Sequence, residues 1–177
     1  MTTGSRRVPG VARATGVRER IAGPWRVAVA EVSMTPAIEP GDWLLVDPSV
    51  ARWPRRGTVV VFREPGSGEL AIKRVAGRPV DWVPFAGGFL QLAEDEAWLL
   101  SDATDEAAAA AGFGRVVDSQ AYGPVSVDAL VGRAWLRYWP LRRLGRIGRT
   151  GWTGGAGKRG EPLGEWPLVE ADRGGEG

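Results

Sequence analysis

The sequence predicts a mainly β domain, barrel-like or a sandwich, held between two flexible tails. From Trp25 onward, short apolar segments of strand length recur between turn residues. Nine Trp, four Phe, two Tyr and many Val supply the aromatic and β-branched side chains that suit a pleated, half-buried surface. A helical bundle is disfavoured, because the alanine-rich run Ala107 to Ala111 interrupts this rhythm instead of setting it. At 177 residues the chain has room for one domain with a sizeable core.

The elements follow in order. Residues 1–24 are polar, Arg-rich and broken by Gly and Pro, which marks a loose arm. Strands are expected at Arg26 to Val32, Trp43 to Asp47, Thr58 to Arg63, Leu70 to Ala76, Phe89 to Leu92, Ala97 to Ser101 and Val131 to Tyr138. Pro40-Gly41-Asp42, Arg56-Gly57, Pro65-Gly66-Ser67-Gly68 and Gly87-Gly88 supply turns between them. Thr104 to Gly112 reads as a helical turn or a flexible insertion. Residues 149–177 are Gly-rich and read as a disordered tail, so the folded body is expected over 25–148.

The longest apolar stretches, such as Val27 to Ala30 and Thr58 to Phe62, fall far short of the roughly 20 residues that cross a bilayer. Arg6 and Arg7 are not followed by the apolar core of an export signal, because Arg13, Arg18, Glu19 and Arg20 interrupt it. The expectation is therefore a cytoplasmic chain without a transmembrane anchor. Arg133, Arg137, Arg142, Arg143, Arg146 and Arg149 have no acidic residue among them and alternate with Trp and Leu. A stretch of this kind over 133–149 can lie peripherally on anionic lipid or on nucleic acid or, as the preferred reading, can be a solvated face after the last strand. The net charge of +2 does not call for a nucleic-acid partner, and none is expected.

Composition narrows the chemistry. Of 23 basic residues all but two are Arg, and the two exceptions are Lys73 and Lys158. With no His and no Cys, the common general base, the thiol nucleophile and most transition-metal ligands are gone. No cofactor or metal is expected, and Asp42, Asp102 and Asp118 are read as turn or cap residues. Arginine stays protonated, whereas a desolvated lysine can lose its proton, so Lys73 reads as a chemical choice. Ser33 sits at a strand end in Val32-Ser33-Met34-Thr35-Pro36, stiffened by Pro36 and closed by Pro40-Gly41-Asp42. If Lys73 points inward, with Ile72 and Arg74 on the other face, burial lowers its pKa from about 10.4 toward the range of a useful base. A neutral amine within reach of a Ser hydroxyl makes that Ser a nucleophile without His. On local sequence alone, Ser33 also suits a turn hydroxyl, and Lys73 a strand-edge cation with its stem on apolar surface.

Ser33-Met34-Thr35-Pro36-Ala37-Ile38-Glu39-Pro40-Gly41-Asp42 resembles the nucleophile segment of signal peptidase I. Arg56 to Phe62 and Ile72-Lys73-Arg74-Val75 are similar to its next two blocks, and Asp118 to Val125 and Val131-Gly132-Arg133 to Tyr138-Trp139-Pro140 to its closing ones. Five ordered blocks span about Val27 to Pro140. The resemblance implies a signal peptidase/LexA-like, β-rich, barrel-type catalytic domain and a serine-type endopeptidase that removes a leader or signal peptide from a precursor protein. It assigns Ser33 as nucleophile, Lys73 as base, the Ser33 N–H to the oxyanion, Met34 to a shallow apolar pocket that suits the family's preference for small residues just before the cut, and Asp118 and Ser119 to supporting roles. The absent anchor and the Arg137-Tyr138-Trp139-Pro140 ending look most like the maturation proteases of nickel-type superoxide dismutase. The chain departs from the family pattern at Ser101-Asp102-Ala103, usually Gly-Asp-Asn, at Val116 and Gln120, usually Ser and Arg, and at Glu31, usually small or hydroxylated. Two alternatives stand beside this reading: a LexA-like regulator that cuts itself, with Ala22-Gly23 available, and an inactive relative serving as a binding module.

Overall fold

A computed structural model describes residues 23–148, so the expected arm and tail lie almost wholly outside the described residues. The fold is mainly β, and its chief element is an eight-stranded antiparallel sheet curled into a half-barrel. The strands are β1 (Trp25–Ala28), β2 (Trp43–Asp47), β3 (Val59–Arg63), β4 (Leu70–Gly77), β5 (Trp82–Phe85), β6 (Gly88–Gln91), β7 (Glu96–Leu100), β8 (Val125–Ser126), β9 (Leu130–Trp139) and β10 (Gly145–Arg146). They run β1-β2-β9-β3-β4-β7-β8, with β10 on β9, while β5 and β6 form a separate hairpin. Two short helices, α1 (Asp105–Ala110) and α2 (Ser119–Tyr122), follow β7.

The seven expected strands all form, with differences that have physical causes. β1 stops at Ala28 because the chain beyond it bends into the Ser33 turn, although Val29 still exchanges hydrogen bonds with Asp42 and Gly41. β5 escapes sequence reading because Pro84 lies inside it, a residue confined to strands that lack an inner neighbour. The hairpin closes through Ala86 and Gly87, both at positive φ, as a two-residue turn of right-twisted strands requires. Thr104 to Gly112 becomes α1, whose first turn is capped by the Thr104 hydroxyl accepting from Ala107 N–H.

Alternation along β3 builds two cores on opposite faces of the sheet. Val59 and Val61 pack with Met34, Ile38, Leu44, Val46 and Ala134, while Val60 and Phe62 pack with Trp53, Val75, Ala97, Leu99 and Val125. All four β3 valine and phenylalanine side chains are buried, so this strand carries a continuous apolar run instead of an alternating one. Where β9 crosses close to β2, only Gly132 fits: a Cβ there would lie 2.7 Å from both the Asp47 carbonyl oxygen and Val46 Cγ1. Gly132→Ala is expected to destabilise the fold by about 1–3 kcal/mol, read as a lower denaturation midpoint, since backbone cannot yield as a flexible side chain does.

Candidate active site

Ser33 lies in the turn between β1 and β2, which the chain fixes from within and from below. The Thr35 N–H and hydroxyl both donate to Val32 O at 2.9 Å, Ile38 N–H donates to Met34 O at 2.8 Å, and Asp42 Oδ2 accepts Glu39 N–H at 2.9 Å. Met34 and Ile38 point down into the first core. Met34, expected beside a shallow apolar pocket, is instead 1 % exposed and anchors the turn, because a thioether next to Val29, Leu44 and Val61 gains more from burial than from an open surface. Ser33 itself is half-buried, and among the described residues neither its hydroxyl nor its N–H donates a hydrogen bond.

Lys73 lies on β4 opposite Val60 of β3, on the face of the second core, with Ile72 packed toward the first core. The inward orientation expected from sequence is therefore present. The side chain is 3 % exposed, and burial holds the amine below the ordinary lysine range. The charges of Asp118, Glu31, Glu64 and Asp102 oppose that shift, in that order, and do not overcome it. Among the described residues the amine makes no hydrogen bond or ion pair, and none joins it directly to Ser33.

The segment after β7 connects the two. Ser33 O accepts both Asp102 N–H, at 3.0 Å, and Ala103 N–H, at 3.1 Å. On the other side, β7 is the neighbour of β4, with Arg74 opposite Leu100. The residues expected to support the site hold this segment in place. Asp118 caps α2 by accepting Gln120 N–H and also accepts Ser101 N–H at 3.0 Å, while Ser119 Oγ accepts Leu99 N–H at 2.9 Å. The helix thus closes the outer edge of β7 with side chains where a strand would have used backbone. Tyr122 of α2 packs on Phe62, and burial, with Asp118 and Glu64, pushes its phenol above the usual tyrosine range. Asp42, Asp102 and Asp118 do not converge: each serves a different turn, cap or ion pair.

Two further sets of residues matter, Arg74, which the sequence reading does not single out, and the arginines of 133–149, which it takes as a basic stretch. Arg74 is 1 % exposed and forms a two-pronged pair with Asp102, Nε to Oδ1 at 2.7 Å and the terminal nitrogen to Oδ2. Its remaining nitrogen donates to Gly57 O and Gly148 O. The arginines of 133–149 are also not a free basic stripe. Arg137 donates to Ala37 O at 2.8 Å and pairs with Asp42, Arg143 pairs with Asp42 and Glu39, and Arg133 pairs with Asp47. Acids absent from that stretch come from the Ser33 turn and β2, so two of these arginines brace the turn. Arg142 and Arg146 remain exposed, and Arg149 lies outside the described residues. No helix of the described residues is long and apolar enough to cross a membrane.

Residues 4–112, more than half of the chain, match the family described as signal peptidase, peptidase S26. A signal peptidase I of Leptolyngbya laminosa is 31 % identical over 137 residues, which cover 64 % of this chain and 68 % of that protein. Fold and match together define a peptidase with a β-rich catalytic frame. The chain belongs to the S26 signal peptidase family.

Proposed function

We propose that the chain is a serine endopeptidase that cuts a short leader from a precursor protein with Ser33 as nucleophile and Lys73 as general base. The observation that supports it best is a buried, unpartnered amine beside the same short segment that holds the Ser33 carbonyl. Neutral Lys73 takes the Ser33 hydroxyl proton as Oγ attacks the scissile carbonyl carbon, then returns it to the departing amine. An acyl ester on Ser33 remains, and the same amine next takes a proton from a water that attacks it, releasing the mature protein's leader as a carboxylate. The Ser33 N–H, donating to nothing among the described residues, is available to the oxyanion. Asp118 and Ser119 support the site by fixing β7.

The precursor we propose is a nickel-type superoxide dismutase whose metal-binding amino terminus is exposed by the cut. What supports this finer reading is the likeness of Arg137-Tyr138-Trp139-Pro140 to the ending of the proteases that mature it. Incubating the full chain with such a precursor is expected to give one cut after small residues, identified by mass spectrometry. Because Lys73 must be neutral and burial holds its pKa below the ordinary lysine range, the rate should rise as pH climbs through that lowered pKa. A rate that is flat or falls there, or an untouched precursor while other leaders are cut, sinks the base or the precursor respectively.

A further inference from the structure

Among the described residues the Lys73 amine has no partner, and Ser101 Oγ, like the Tyr122 hydroxyl of α2, is buried without a hydrogen bond. The β4–β7 ladder pairs Val75 with Leu99 and Arg74 with Leu100, so one more step sets Ser101 directly opposite Lys73. The backbone of β7 keeps its strand alternation through that step. The Leu99 and Ser101 N–H groups both point off the outer edge, to Ser119 Oγ and Asp118 Oδ2. Directly opposed residues of an antiparallel pair project to one face with Cβ atoms about 4.5–5.5 Å apart. Ser101 is also held from the Ser33 side, since the next N–H along donates to Ser33 O.

From this juxtaposition we propose that Ser101 is a positioning residue for Lys73: its hydroxyl accepts one N–H of the amine and turns the nitrogen lone pair toward Ser33 Oγ. This rests on the Ser33 and Lys73 assignment above. Two donors on a neutral amine leave its rotation undetermined, and a single fixed acceptor opposite removes that freedom. Ser119 Oγ, which holds β7 in place, is satisfied by backbone, whereas Ser101 Oγ is not. Burial costs an unpaired hydroxyl free energy unless a partner is supplied. Hydrogen bonds of this sort commonly close only when substrate excludes water.

The test uses the full chain and its Ser101→Ala, Ser101→Thr and Lys73→Arg variants, with a fluorogenic peptide carrying alanines before the cut. Because the chain has only two lysines, 13C-lysine labelling gives two signals, and Lys73→Arg tells which is Lys73. An accepting hydroxyl favours the charged amine, so its loss lowers the Lys73 pKa while Asp118, Glu31, Glu64, Asp102 and Tyr122 stay in place. Ser101→Ala is expected to lower kcat roughly 10-fold with KM unchanged, the size of one hydrogen bond to an ionisable group. The ascending limb of the pH profile and the Lys73 signal should both move to lower pH, and Ser101→Thr should restore both. Unchanged kcat and signal, or a fall in kcat with the signal unmoved, overturns the positioning role. An active Lys73→Arg instead removes the base itself, a distinct failure. Should the alanine variant not fold, Ser101→Gly also lacks the hydroxyl and gives the same reading.

Discussion

Lys73→Arg and Ser33→Ala are each expected to lower kcat/KM by roughly 1,000-fold or more, within the range that nucleophile and general-base losses produce. The arginine variant is the more telling, because it keeps the positive charge and removes only the capacity to be neutral. Arg is bulkier, and the site is closed, so Lys73→Met serves beside it as a variant that fits an apolar neighbourhood of Val60, Val75 and Leu99. The two should be equally inactive and should differ in stability. Burying Lys73 lowers its folded pKa, so the unfolded chain binds more protons, and wild-type stability rises with pH between the folded value and about 10.4. Below that window Lys73→Met should be the more stable protein, and its advantage should shrink as pH rises through it. A buried amine whose desolvation costs stability is what a chain retains for chemistry. Denaturation midpoints across pH check the second half, and peptide cleavage the first. Cleavage by Lys73→Arg at the wild-type rate ends the dyad assignment.

Removing a charge that acts on the same amine gives a smaller test in the opposite sense. Glu31 stands two residues before Ser33 where the family pattern has a small or hydroxylated side chain, and its charge raises the Lys73 pKa. Glu31→Ser should move the ascending limb of activity to lower pH. It should also relieve repulsion of a developing oxyanion, so activity near neutrality should rise. A limb that stays in place would detach Glu31 from the amine.

The parts of this molecule that sequence discloses are those set by local chemistry. The Val59 to Phe62 run and the alternation around Lys73 place two strands and the inward side of β4 with no knowledge of the fold. The turn that carries Ser33 is legible the same way, from Pro36, Gly41 and Asp42, while the role of nucleophile is what the resemblance to the signal peptidase segment implies. What escapes is long-range pairing. Arg74 reads as one more arginine in an arginine-rich chain until Asp102, 28 positions on, takes both prongs. Arg137 and Arg143 look like a basic surface until Asp42 and Glu39 face them across about 100 positions. Met34 looks like pocket lining in a motif and is core in space, since period and motif say nothing about which side of a turn lies on the sheet. A signal was present for Arg74: it sits next to the buried Lys73 inside an apolar strand, where an unpaired guanidinium would not be tolerated.

Asp102→Ala is expected to destabilise the protein by about 3–5 kcal/mol, the cost of leaving a buried guanidinium without its counter-charge. Arg74 is almost wholly enclosed, and its two carbonyl partners, Gly57 O and Gly148 O, carry only partial charge. Among the described residues the carboxylate is thus the one full negative charge bonded to it. The double variant Arg74→Met/Asp102→Ala should recover much of the loss, because an apolar side chain of similar length leaves no charge behind. Activity should not return in parallel. Asp102 and Ala103 hold the Ser33 carbonyl through backbone N–H groups, and the Arg74 fork is what fixes that segment against β4. With the fork gone, the double variant should fold with a near wild-type midpoint and still cleave slowly, through a raised barrier and not through weaker substrate binding. Denaturant titration and steady-state kinetics on both variants separate the two effects. Full activity in the double variant would show that Ser33 and Lys73 are held together without the ion pair, and would leave Arg74 and Asp102 a role in stability alone.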